Sequence, residues 1–141
     1  MQILSLVYPM AVLVLLTFFV MYLMLISRVK AVRLRKISPR YFKLNQGGEL
    51  PDNVTAIGQN YGNLLELPVL FYTVCIIAIV LDQSTEYFVI HAWAFVIIRF
   101  IHTYIHVTYN HILHRLYAFA MSGFILLSMW IKVVMNVIDK M

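Results

Sequence analysis

The sequence predicts an all-α integral membrane protein built as a bundle of four transmembrane helices. Composition carries part of that prediction: of 141 residues, 62% are hydrophobic and 12% charged, against roughly 25% charged in an ordinary soluble domain. Mean hydropathy is +0.85, and a soluble fold this small has too much surface to cover with so few polar groups. The third observation is distribution. The apolar residues are gathered into four runs, each near the length of about 20 residues that a helix needs to cross hydrocarbon. The wealth of apolar and aromatic residues excludes disorder, and a single cysteine, Cys75, excludes a disulfide scaffold.

The spans fall at about residues 3–26, 60–81, 87–109 and 116–138. The first carries no charge, is too long for the apolar core of a signal peptide and follows no basic segment, so it reads as a retained span. The helix of the second begins ahead of the membrane, with Asp52 or Asn53 as its candidate cap. The fourth carries Lys132 near its end, where a long stem lets the ammonium reach the interface. Links at 82–86 and 110–115 are short, which makes successive spans antiparallel neighbours. The runs are continuously apolar rather than alternating, which excludes a transmembrane barrel. With no internal repeat and no low-complexity linker, residues 1–141 read as one domain.

Charge sets orientation. The first loop, residues 27–55, carries Arg28, Lys30, Arg33, Arg35, Lys36, Arg40 and Lys43 against Glu49 and Asp52, whereas the 82–86 link has two acids and no base. The positive-inside rule places the first loop and the 110–115 link in the cytoplasm and both termini on the opposite side. The basic run also attracts anionic headgroups, making membrane lipids a partner. Nucleic acid is not one, because no folded domain presents these charges. Ser38-Pro39 and Gln46-Gly47-Gly48 are the loop's turn signals.

Ionisable groups within spans are expensive and are functional candidates by default. The second span carries Gln59, Asn63, Glu66 and Thr73, spaced to share one helical face, and the third carries Arg99, His102, His106 and Asn110 at a similar spacing. Neither stripe can face lipid, so the expectation is that they face each other across a wet cavity. At 1.5 Å per residue, Glu66 lies roughly 9 Å beyond Asn60, and His102 and Arg99 lie about 12 and 16 Å short of Asn110. These groups therefore share the cytoplasmic half. Arg99 needs a counter-charge there, and Glu66 is the carboxylate at suitable depth. A purely structural Arg99–Glu66 pair is the alternative to a binding site, but one pair does not need Asn63, His102, His106, Asn110 and Arg115 around it.

Other chemistries fit less well. All five histidines lie on the third span or just after it, which argues against a haem held between facing helices. His102 and His106 with Glu66 are the metal alternative, and no metal is assigned. Cys75 lies in an apolar stretch and reads as packing. A channel would need a continuous polar path, and the polar groups stop halfway across.

The run Asn63-Leu64-Leu65-Glu66 followed by Pro68, and Arg99-x-x-His102-Thr103 with Arg115 sixteen residues after Arg99, resemble the MAPEG family, the membrane-associated proteins in eicosanoid and glutathione metabolism. The resemblance covers essentially the whole chain. The Arg99-to-Arg115 interval and the run Val32-Arg33-Leu34-Arg35-Lys36 are most similar to its prostaglandin E synthase branch. It implies a homotrimer with glutathione as co-substrate, bound between subunits near the cytoplasmic side. It implies that Asn63 and Glu66 contact the tripeptide and that Arg99 supports the site. His102 and His106 would line the site, Arg33 would reach a carboxylate from the first helix, and Arg115 would stabilise the thiolate as the catalytic residue. Two positions depart from the usual pattern: Gln59 stands where many members have arginine, and His106 where many have tyrosine. The implied function is a membrane-bound glutathione-dependent transferase or peroxidase acting on lipophilic electrophiles. The alternative is a non-catalytic structural or lipid-binding membrane protein of the same fold.

Overall fold

The computed structural model describes residues 2–46 and 48–139, and Gly47 of the expected Gln46-Gly47-Gly48 turn lies outside the described residues. The described chain is all helical: α1 (Gln2–Arg33), α2 (Tyr41–Leu44), α3 (Asp52–Asn63), α4 (Leu67–Val80), α5 (Glu86–Val107) and α6 (Ile112–Ile138). Four helical stretches are long and apolar enough to cross a membrane: Leu6–Arg33, Asp52–Val80, Glu86–Val107 and Ile112–Ile138. The protein is therefore an integral, multi-pass membrane protein.

The boundaries differ from the sequence expectation in three places. First, α1 runs on to Arg33, so Arg28, Lys30 and Arg33 of the expected loop are helical. It stops in a Schellman-type end. Lys36 N–H donates to the Ala31 carbonyl (3.0 Å) and Arg35 N–H to the Val32 carbonyl (2.9 Å), with Arg35 itself left-handed at φ 55°. Second, α6 begins at Ile112, which puts Arg115 in its first turn rather than in the link. Third, the second span is not continuous. Residues 64–66 form a turn between α3 and α4, with Pro68 in the first turn of α4. Proline has no N–H to give the Leu64 carbonyl four residues back, and its ring crowds that carbonyl, so a helix running through Pro68 is broken ahead of it. The expected cap is also corrected. Pro51 occupies the N-cap of α3 without a side-chain hydrogen bond, and Asp52 sits in the first turn, where its carboxylate meets the positive end of the helix dipole.

The core runs the length of the bundle. Leu6, Leu13, Leu16 and Val20 of α1 form a stripe at helical spacing and pack with Phe71 and Ala78 of α4, Phe88 and Phe95 of α5, and Met129 and Val133 of α6. Phe71 and Phe95 stack with centroids 4.6 Å apart and planes within 10°. A smaller cluster of Ala31, Ile37 and Val54, with Tyr41, Phe42 and Leu50 against it, folds the basic loop onto α1 and α3. The outer faces remain apolar and exposed, as at Leu15, Phe18, Val80 and Phe124, which suits helices solvated by lipid.

Candidate functional site

Helix α5 touches α1, α3, α4 and α6, so one of its faces is enclosed along its length. The first half of that face is Phe88, Ala92, Phe95 and Val96; the second half is Arg99, His102, Thr103 and His106. All four of the latter are buried, Arg99 and His106 completely. The stripe expected on the third span is thus an interior stripe. Its last expected member, Asn110, is instead exposed in the link, left-handed at φ 48°, and accepts a hydrogen bond from Arg115 Nη1 at 2.9 Å.

The stripe expected on the second span does not face α5. Gln59, Glu66 and Thr73 are exposed and Asn63 is half-buried. The Thr73 hydroxyl is used up on the Val69 carbonyl of its own helix at 2.8 Å. Asn60 is the residue that faces inward: it is wholly buried, and its Oδ1 accepts a hydrogen bond from Thr103 Oγ1 at 3.4 Å. Sequence reasoning missed Asn60 because it weighed the polar residues only against one another. Ile57, Tyr61 and Leu64 pack into the core around it, and at spacings of three and four residues they mark Asn60 as part of the buried face.

The expected Arg99–Glu66 pair is also corrected. Arg99 Nη2 donates to the backbone carbonyl of Asn63 at 2.7 Å, and Glu66 is exposed at the N-cap of α4. The physical reason is the Pro68 break. Ending α3 at Asn63 leaves that carbonyl without the amide four residues on, and a helix end buried without a partner is costly. The guanidinium fills the place.

Beside this interior stripe lies an open cavity of about 410 Å³, lined by Asn63, His102, Ile112, Arg115, Leu116 and Phe119, within the size range of small-molecule sites. One wall offers an amide, an imidazole and a guanidinium, and the other is aliphatic and aromatic. Arg115 is half-buried, with Nε enclosed and unpartnered. The structure therefore brings together three of the sequence candidates, Asn63, His102 and Arg115. Arg99 and His106 lie behind the cavity rather than on its wall. Arg33 does not line it and lies instead in a groove of about 650 Å³ on the flank of α1 with Tyr22, Leu25, Ile26, Val29, Lys30 and Leu34. Glu66 belongs to the outer surface of the chain.

The cavity wall supplies part of what a tripeptide thiol with two carboxylates and one ammonium needs: it holds one permanent cation and two hydrogen-bonding groups, and no carboxylate for the ammonium. Arg115 is the permanent cation, Asn63 and His102 are the hydrogen-bonding groups, and Ile112, Leu116 and Phe119 make the rest of the lining apolar. Among the described residues, no three His, Cys, Asp or Glu side chains come together as metal ligands.

No curated protein and no solved structure matches the chain. The family model of the MAPEG family matches residues 6–135, nearly the whole chain, and the protein therefore belongs to the MAPEG family.

Proposed function

We propose that the protein is a membrane-bound glutathione-dependent transferase or peroxidase for lipophilic electrophiles. It works as a homotrimer, with the glutathione site at the cytoplasmic end of the bundle. Family membership is consistent with glutathione-related transferase or synthase chemistry. The observation that carries the reading is the Arg115 guanidinium in the wall of an apolar-sided cavity, beside Asn63 and His102. A thiol is a nucleophile only as thiolate, and a guanidinium in a poorly screened site lowers the cost of that anion. In transfer, the thiolate sulfur bonds to the electrophilic carbon and the leaving group departs with its electron pair. In peroxide reduction, the sulfur attacks an oxygen, the O–O bond breaks, and the alkoxide takes a proton. A second glutathione then reduces the sulfenic acid to disulfide and water. Ile112, Leu116 and Phe119 would receive a substrate arriving laterally from the bilayer.

The exposed Glu66 and Gln59 support the trimer. Carboxylates and amides within a span do not face lipid, so the outer surface that carries them calls for a neighbouring subunit. The same neighbour would bring the α1 groove, with Arg33, toward the cavity.

Stopped-flow ultraviolet absorbance on mixing the purified protein with glutathione tests the reading. The expected result is a thiolate signal that Arg115→Ala removes while native mass spectrometry still reports a trimer. No thiolate and no binding at millimolar glutathione would overturn it and favour the non-catalytic alternative.

A further inference from the structure

The buried polar cluster between α3 and α5 is chemically one-sided. Four of its side chains are each at most 2% exposed: Asn60 from α3 and Arg99, His102 and His106 from α5. Two hydrogen bonds tie the elements together, Arg99 Nη2 to the Asn63 carbonyl and Thr103 Oγ1 to Asn60 Oδ1. The buried atoms left without partners are Arg99 Nε and Nη1, Asn60 Nδ2, and both ring nitrogens of each imidazole. The first three are obligate donors, and each neutral imidazole adds another. The only acceptors left are one nitrogen per ring, and neither carries charge. A buried guanidinium needs a counter-charge as well as dipoles, and among the described residues its only hydrogen bond is to a neutral carbonyl.

We propose that this cluster binds one small inorganic anion, of chloride size and charge, inside a single chain. The two cross-helix bonds set Asn60 and Arg99 within one helical turn of each other. The imidazoles continue the same face, with ring centroids 5.5 Å apart. The anion supplies a negative charge in direct contact, where the Glu66 carboxylate acts on Arg99 only from the exposed break. It lies behind the Arg115 cavity and shares only His102 with that cavity's wall. It requires no glutathione and does not depend on the proposed activity.

Thermal unfolding of the intact protein in lipid nanodiscs, without glutathione, tests the site in chloride, bromide and gluconate at matched ionic strength. An anion bound only by the folded state raises the midpoint by roughly 3–5 °C per tenfold rise in chloride above its dissociation constant. Bromide should act similarly, and gluconate, too large to enter, should not. Asn60→Asp supplies a fixed carboxylate, accepts the Thr103 hydroxyl as before, and should abolish the halide dependence in a folded protein. Arg99→Gln removes the charge and should abolish it too, which keeps the test decisive if either variant fails to fold. Equal midpoints for the wild type in all three salts would overturn the site in favour of water. A slope that persists in the variants would assign the halide to surface cations and overturn the site.

Discussion

At the scale of single residues, Arg99 and Arg115 show how one side-chain type takes two roles. Arg99 is enclosed and holds the end of a broken helix through the Asn63 carbonyl. Arg115 is half-buried, with its guanidinium donating to the exposed Asn110 and lining the cavity wall. Truncation should separate them. Arg99→Ala leaves both a void and a freed carbonyl, and is expected to cost about 2–4 kcal/mol. Arg115→Ala should change stability by no more than about 0.5 kcal/mol while lowering any thiolate-dependent rate by roughly 10²-fold or more. Denaturation in detergent micelles and turnover with a model electrophile give the two readings. Phe71→Ala should behave like Arg99→Ala in stability alone. It removes the stack on Phe95 and opens a core cavity, at an expected cost of about 3–5 kcal/mol.

At the scale of elements, the decisive feature is the interruption at residues 64–66. Pro68 ends α3 at Asn63, exposes its carbonyl to Arg99, and sets Glu66 at the N-cap of α4 with φ −96° and ψ −91°. Pro68→Ala should let the two helices join. The Leu67 amide then takes the Asn63 carbonyl, and Arg99 loses its acceptor. Amide hydrogen exchange at Leu67 is expected to slow, and glutathione-dependent thiolate formation to weaken as Asn63 turns out of the cavity wall. Unchanged exchange would mean that tertiary packing, rather than the proline, holds the break. Pro68 was visible in the sequence, but its consequence for Arg99 was not. The missing Pro68 amide concerns the Leu64 carbonyl, and nothing local to it says that the break will also free the Asn63 carbonyl for Arg99.

At the scale of the whole molecule, the basic loop and the α5–α6 link lie at one end of the bundle, with the acidic α4–α5 link at the other. The charge asymmetry leads to the expectation that the loop end is cytoplasmic. The only cysteine, Cys75, is fully buried, so the wild type should resist a membrane-impermeant maleimide. Ser38→Cys, at an exposed loop position, should label in inverted vesicles and remain unlabelled in intact cells. Labelling from the outside would reverse the orientation and place the Arg115 cavity on the other side of the membrane.

Much of this molecule was legible in composition and periodicity. The four spans, the interior stripe of Arg99, His102 and His106, and the family pattern all follow from local properties of the chain. Apolar length is set by the hydrocarbon thickness a helix must cross, and shared faces are set by the helical repeat. The rotation of each helix about its own axis was not legible. Two polar stripes spaced alike were expected to face inward, yet packing enclosed the one on α5 and turned Gln59, Glu66 and Thr73 outward, admitting Asn60 in their place. That choice is made by the summed contacts of α1, α3, α4 and α6 around α5, a non-local quantity that no window of sequence contains. Hydropathy therefore decided that these helices cross the membrane, and side-chain packing between them decided which polar groups meet.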